Sequence, residues 1–99
     1  MAKRIETPVL KDLSKALLAL ENEDDCLDFL NDLLTIKEMN AISQRWQVAT
    51  MLKSGATYSD VCDTTGASSA TISRVSRCIE NGEGGYKKLL DRLYPEVNE

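Results

Sequence analysis

A single glycine between two short amphipathic stretches constrains this chain more than any other feature. From Tyr58 to Ile79 the sequence runs YSDVCDTTGASSATISRVSRCI. A helix-turn-helix needs a glycine able to turn left-handed, a small residue where the helices cross and apolar anchors at set offsets. With Gly66 at the turn, Val61 and Thr65 anchor the first helix and Cys62 is the small crossing residue. Ala67, Ile72 and Val75 anchor the second. Thr65 is the one anchor more polar than such a unit usually carries.

The second helix has two unlike faces. Thr71, Ile72, Val75, Cys78 and Ile79 form the inner one; Ser69, Ala70, Ser73, Arg74 and Arg77 cover the outer one. From Thr64 to Ile79 there is no acid. Short side chains near a helix N-terminus let the backbone enter a major groove, where hydroxyls meet base edges or phosphates. The N-terminus itself favours a phosphate. Arg74 and Arg77, further along, are placed for the phosphate backbone. The expected DNA-contacting set is therefore Ser68, Ser69, Ala70, Thr71, Ser73, Arg74 and Arg77. The competing reading of this face is a solvated, serine-rich surface.

The net charge of −4 opposes nucleic-acid binding if taken whole, but its distribution does not. Residues 1–34 hold four Lys/Arg against eight Asp/Glu, whereas residues 35–57 carry a balance of +2. Phosphate affinity follows the local field rather than the sum. The three cysteines, Cys26, Cys62 and Cys78, have no metal-ligand spacing and there is no histidine. Each falls at an apolar position of a helical pattern, as a small hydrophobe in a reducing cytoplasm. No nucleophile or phosphate-loop motif supports an enzyme, no apolar run approaches the ~18 residues of a membrane span, and no strand period is sustained. The expectation is one all-α domain of about six helices over residues 1–99.

Along that domain, residues 1–9 read as a loose arm whose Lys3 and Arg4 touch phosphate or, more simply, water. Residues 10–53 read as dimerisation and core helices. The first runs from Leu10 to Leu20, with an apolar arc of about 200° at 100° per residue. The second follows a Glu21–Asp25 punctuation and reaches Leu34. Apolar faces this wide, ahead of a compact recognition unit, imply burial against a second copy, so a homodimer is expected. Thr35-Ile36-Lys37-Glu38 is a capping box for a third helix, which stops at Ser54-Gly55. Thr57 caps the helix-turn-helix, residues 58–81, and a C-terminal packing helix occupies 84–94 with Tyr86, Leu89, Leu90 and Leu93 on one face.

The third helix carries one anomaly. Its apolar stripe is Ala41, Ile42, Val48, Ala49 and Leu52, with Met39 and Trp46 at the margin, and Arg45 falls inside it. A guanidinium there must pair with an anion or reach water along its stem, because a lone buried charge is costly. A snorkelling arginine, an internal ion pair, or a site for a phosphate or ligand carboxylate all satisfy that requirement.

From Leu34 to about Leu90 the residues resemble the bacterial Trp repressor, and more closely the Trp-repressor-like proteins that share its fold. GASSATISR in the turn and reading helix is the most specific part. The resemblance implies an intertwined, all-helical homodimer with a helix-turn-helix on each subunit, the geometry of a water-mediated operator reader. In that family, tryptophan lies between the core and the reading helix. Matched by motif, the threonine at the pocket edge is Thr35 and the arginines that sandwich the indole are Arg45 and Arg74. Arg45 also faces the ligand carboxylate. Two positions depart from the family: Val75 replaces a glycine that leaves room by the ligand, and Cys78 replaces a serine that holds its amino group. Trp46 adds a bulky ring beside Arg45. These changes argue against L-tryptophan, leave another small effector open, and favour a chain with no cofactor.

The function expected from the sequence is a cytoplasmic, homodimeric, sequence-specific regulator of transcription, a repressor by resemblance, acting on near-palindromic double-stranded DNA. The competing class is a protein-interaction dimer that keeps the fold without specific DNA binding, which the net acidity favours.

Overall fold

The computed structural model describes residues 4–95. Among them are six helices and no strand: α1 (Pro8–Leu18), α2 (Glu23–Leu33), α3 (Ile36–Lys53), α4 (Tyr58–Thr65), α5 (Ser69–Asn81) and α6 (Gly85–Leu93). The internal contacts of the chain divide it within α3, after Met39.

The first unit holds α1 and α2. The expected start of α1 at Leu10 is corrected to Pro8, so the arm is shorter than 1–9. Thr7 is extended and its hydroxyl accepts the Leu10 amide at 3.1 Å, while Pro8 occupies the first turn, where no amide hydrogen is needed. The helix ends at Leu18 rather than Leu20. Arg4 pairs with Glu6 in full solvent, and Lys3 lies outside the described residues. The expected punctuation Glu21–Asp25 is also shorter. Asn22 accepts the Asp25 amide at 2.8 Å, which lets Glu23, Asp24 and Asp25 form the first turn of α2. Carboxylates there complement the helix dipole. Neither α1 nor α2 contains a buried residue, although both have leucine-rich faces; Leu18 is 86% exposed.

The capping box at the start of α3 is reciprocal. Thr35 accepts the Glu38 amide through its hydroxyl at 3.1 Å, and its own amide donates to the Glu38 carboxylate at 2.9 Å. The Thr35 amide first, and then the Thr35 hydroxyl, stabilise the Glu38 carboxylate and hold its pKa below the ordinary range.

The second unit has its core at the junction of α3 with the three helices that follow. Val48 and Ala49 of α3, Val61 of α4, Ala67 of the turn, Ile72 and Val75 of α5 and Leu90 of α6 are buried together. Burial of each large side chain contributes on the order of 1.5–3 kcal/mol. Lys53, at the end of α3, adds a 2.9 Å ion pair with Asp91 of α6. The stripe expected on α3 is covered only from Val48 to Leu52; Ala41 and Ile42 are exposed. Arg45 lies a turn before the covered stretch and is itself exposed, so of the outcomes expected for it, reaching water is the one that fits. It therefore has no buried charge to compensate. The stripe on α6 is likewise half covered, with Leu90 buried and Leu89 and Leu93 exposed.

Candidate nucleic-acid interface

Three local devices shape the α4–α5 unit. Thr57 opens α4 by accepting the Asp60 amide at 3.1 Å. Gly66 closes it in the left-handed region, at φ +71°, with its amide bonded back to Cys62. Ser68 then opens α5, its hydroxyl accepting the Thr71 amide at 3.2 Å and donating to the Thr71 hydroxyl at 3.1 Å. The polar anchor Thr65 is satisfied inside the turn. It donates to the Val61 carbonyl at 2.7 Å and accepts the Ala67 amide at 3.1 Å. Gln44 of α3, which the sequence reading missed, reaches across to the Thr65 carbonyl at 3.1 Å and ties the turn to the scaffold.

The crossing residue needs correction. Cys62 is exposed, and so is not the small hydrophobe expected there. α4 has only eight residues, so a single narrow stripe faces α5, and Val61 fills it. One step of about 100° turns Cys62 outward. The small buried residue beside this stripe is Ala67, at the turn. Cys26 and Cys78 are half-buried.

On α5 the inner residues Ile72 and Val75 are buried, and Ser69, Ala70, Arg74 and Arg77 are exposed on the opposite side. Ser73 is half-buried. These outer residues span an arc of about 140° at helical spacing. Neither Arg74 nor Arg77 forms an ion pair with another described residue. Both guanidiniums are thus available to an anion. Ser68 and Thr71 differ from the rest of the expected set, because their hydroxyls already bond each other at the cap.

Behind α5 lies a small cavity. Arg45, Thr71, Arg74, Val75, Cys78 and Tyr86 line about 120 Å³. Four of the five residues expected around a ligand line it; Thr35 belongs to the other unit and is engaged in its capping box. The volume is below the ~150 Å³ that holds one benzene ring in an engineered protein cavity, and well below the ~300–1,000 Å³ of ordinary small-molecule sites. Tyr86, expected as a packing residue of α6, does pack against the core. Its ring also stacks on Trp46 of α3, with centroids 6.3 Å apart and planes 10° from parallel. Burial raises the pKa of its phenol above the ordinary value and the nearby Cys78 adds to this, while Arg45 and Arg74 oppose it.

A model of the Trp repressor protein family matches residues 9–94. The chain belongs to the Trp repressor family. It is 44% identical over 84 residues to the uncharacterised protein YerC of Bacillus subtilis strain 168, covering 85% of this chain and 81% of that one. Among solved structures, a Trp repressor candidate from Staphylococcus aureus matches with a TM-score of 0.85 at 44% identity, over 94% of this chain and 93% of the other. A TrpR-like protein from Eubacterium eligens ATCC 27750 gives the same TM-score at 41% identity, over 94% and 96%. The Trp repressor fold is a regulatory one rather than an enzymatic one, and in general its members bind DNA and dimerise. No helix among the described residues is long and apolar enough to cross a membrane.

Proposed function

We propose that this Trp repressor family member is a homodimeric, sequence-specific DNA-binding regulator of transcription that represses from a near-palindromic operator in the cytoplasm. The observation that carries this reading is the exposed, acid-free outer face of α5, set behind a left-handed Gly66 turn and bearing two arginines without ion-pair partners among the described residues. Arg74, Arg77 and the amides at the start of α5 grip phosphates, while Ser69, Ala70 and Ser73 meet base edges. Ser68 and Thr71 set the helix N-terminus rather than reading bases. The exposed leucine faces of α1 and α2 support a second copy as the partner, since large apolar patches on a soluble chain mark interaction surfaces. In such a dimer the two reading helices lie about one DNA turn apart.

The second reading, an interaction dimer without specific DNA binding, is favoured by the net charge of −4. A gel-shift with random DNA pools separates the two. An enriched motif supports the sequence-specific reader, whereas salt-dependent binding without enrichment, or no binding, favours the interaction dimer. L-tryptophan is not proposed as the effector: Val75 and Cys78 depart from the residues the resemblance implies around it, and Tyr86 joins them in lining a cavity of about 120 Å³.

A further inference from the structure

We infer that Tyr86 is a positioning residue for α5: its ring, stacked on Trp46 and lining the cavity behind α5, fixes the reading helix on the α3 scaffold. This rests on the reading of α5 as the DNA-contacting helix.

The geometry supports it in three steps. First, Tyr86 is the second residue of α6 and follows the glycine-rich link 82–85, where Gly84 is left-handed at φ +90°. That turn lets α6 fold back directly onto α5, against which it packs. Second, the one ring touches two elements. It stacks on Trp46 of α3, packs against the core that holds Ile72 and Val75 of α5, and lines a cavity with Thr71, Arg74 and Cys78. A half-buried aromatic so placed resists sliding of α5 along α3, because offset-stacked rings have a preferred separation and tilt. Third, Tyr86 lines the same cavity as Arg45 of α3 and Arg74 of α5, so the scaffold and the reading helix meet beside it. The remaining void of about 120 Å³ is what is left after this ring is in place. Removing the ring enlarges it to a size that accepts a small phenol.

The test uses the full chain with Tyr86→Ala, Tyr86→Phe and, as a control on the same helix, the exposed Leu89→Ala. Hydrogen exchange is read at the amides of Ser69–Asn81, with and without millimolar p-cresol. Tyr86→Ala should raise exchange there by about tenfold, the upper end of what a stacked aromatic pair contributes. p-Cresol should restore protection in that variant alone, and Tyr86→Phe should behave as the native chain. If Tyr86→Ala does not fold, Tyr86→Leu replaces it, keeping apolar volume without a ring. Native protection of α5 in either ringless variant overturns the proposal, as does a failure of p-cresol to restore protection in a folded Tyr86→Ala. In parallel, affinity for a random-sequence duplex at low salt should fall by about tenfold in Tyr86→Ala and recover with p-cresol. If the native chain binds no duplex, the DNA-reading function fails while the exchange result still judges Tyr86. Unchanged exchange with intact DNA binding rejects Tyr86 and leaves the DNA-reading function standing.

Discussion

The ring of Tyr86 in α6 lies stacked on that of Trp46 in α3, 6.3 Å between centroids, and Tyr86 also lines the cavity behind α5. The space left beside Arg45 and Arg74 is about 120 Å³. An amino acid the size of tryptophan needs a larger space, since ordinary small-molecule sites run to about 300–1,000 Å³. Isothermal calorimetry with L-tryptophan at millimolar concentration should therefore give no saturable heat. Tight binding would reverse this conclusion and would require Tyr86 to swing out.

Arg74 and Arg77 point from the outer face of α5 without ion-pair partners among the described residues. If they hold phosphates, each alanine variant should weaken DNA binding by about 1–3 kcal/mol and lower the slope of affinity against salt by about one. The loss should be similar for different duplex sequences. Unchanged affinity and slope in both variants would remove these arginines from the interface.

Gly66 holds φ at +71°, and a Cβ placed there would meet no atom within 4 Å. Gly66→Ala therefore isolates the conformational cost of the left-handed turn, without a clash. Denaturant unfolding should show a loss of about 1–2 kcal/mol. A loss near zero would mean that the turn relaxes to another conformation and that the helix-turn-helix angle is not set there.

Glu38 is pinned to Thr35 by the capping box, which lowers its pKa. A carboxylate held below its free value stabilises the folded state above the unfolded pKa, and that contribution disappears as pH falls through the lowered folded value. Amide protection in the first turn of α3 should thus decline as pH drops below about 4.5, the ordinary value of such a group. Glu38→Gln should abolish the dependence. A decline of the same size in that variant would assign it to other carboxylates.

The parts of this fold legible in the sequence are those encoded by neighbours three or four residues apart. The caps at Thr35, Thr57 and Ser68, the turn at Gly66 and the inner face of α5 all bond or pack as their spacing implies. The caps at Thr7 and Asn22 obey the same rule, but the strong leucine pattern drew the expected boundaries away from them. Cys62 and Ile42 differ from expectation for another reason. A helical wheel gives the direction of a side chain, not which element covers it, and α3 is covered only over its later turns. The Trp46–Tyr86 stack and the Gln44–Thr65 bond depend on segments far apart in the chain, so no local pattern announces them. The nearest sequence signal for Tyr86 was an aromatic placed just after a glycine-rich link.

The measurement that bears most directly on the central claim is in vitro selection of binding sites from a random duplex pool, with the native full-length chain. The enriched sites should contain two inverted half-sites centred about 10 base pairs apart, the spacing of paired reading helices on one face of DNA. Their enrichment should vanish when Arg74 and Arg77 are both replaced by alanine. A pool that remains random after repeated rounds, with the protein folded and dimeric, would contradict the account and leave an interaction dimer in its place.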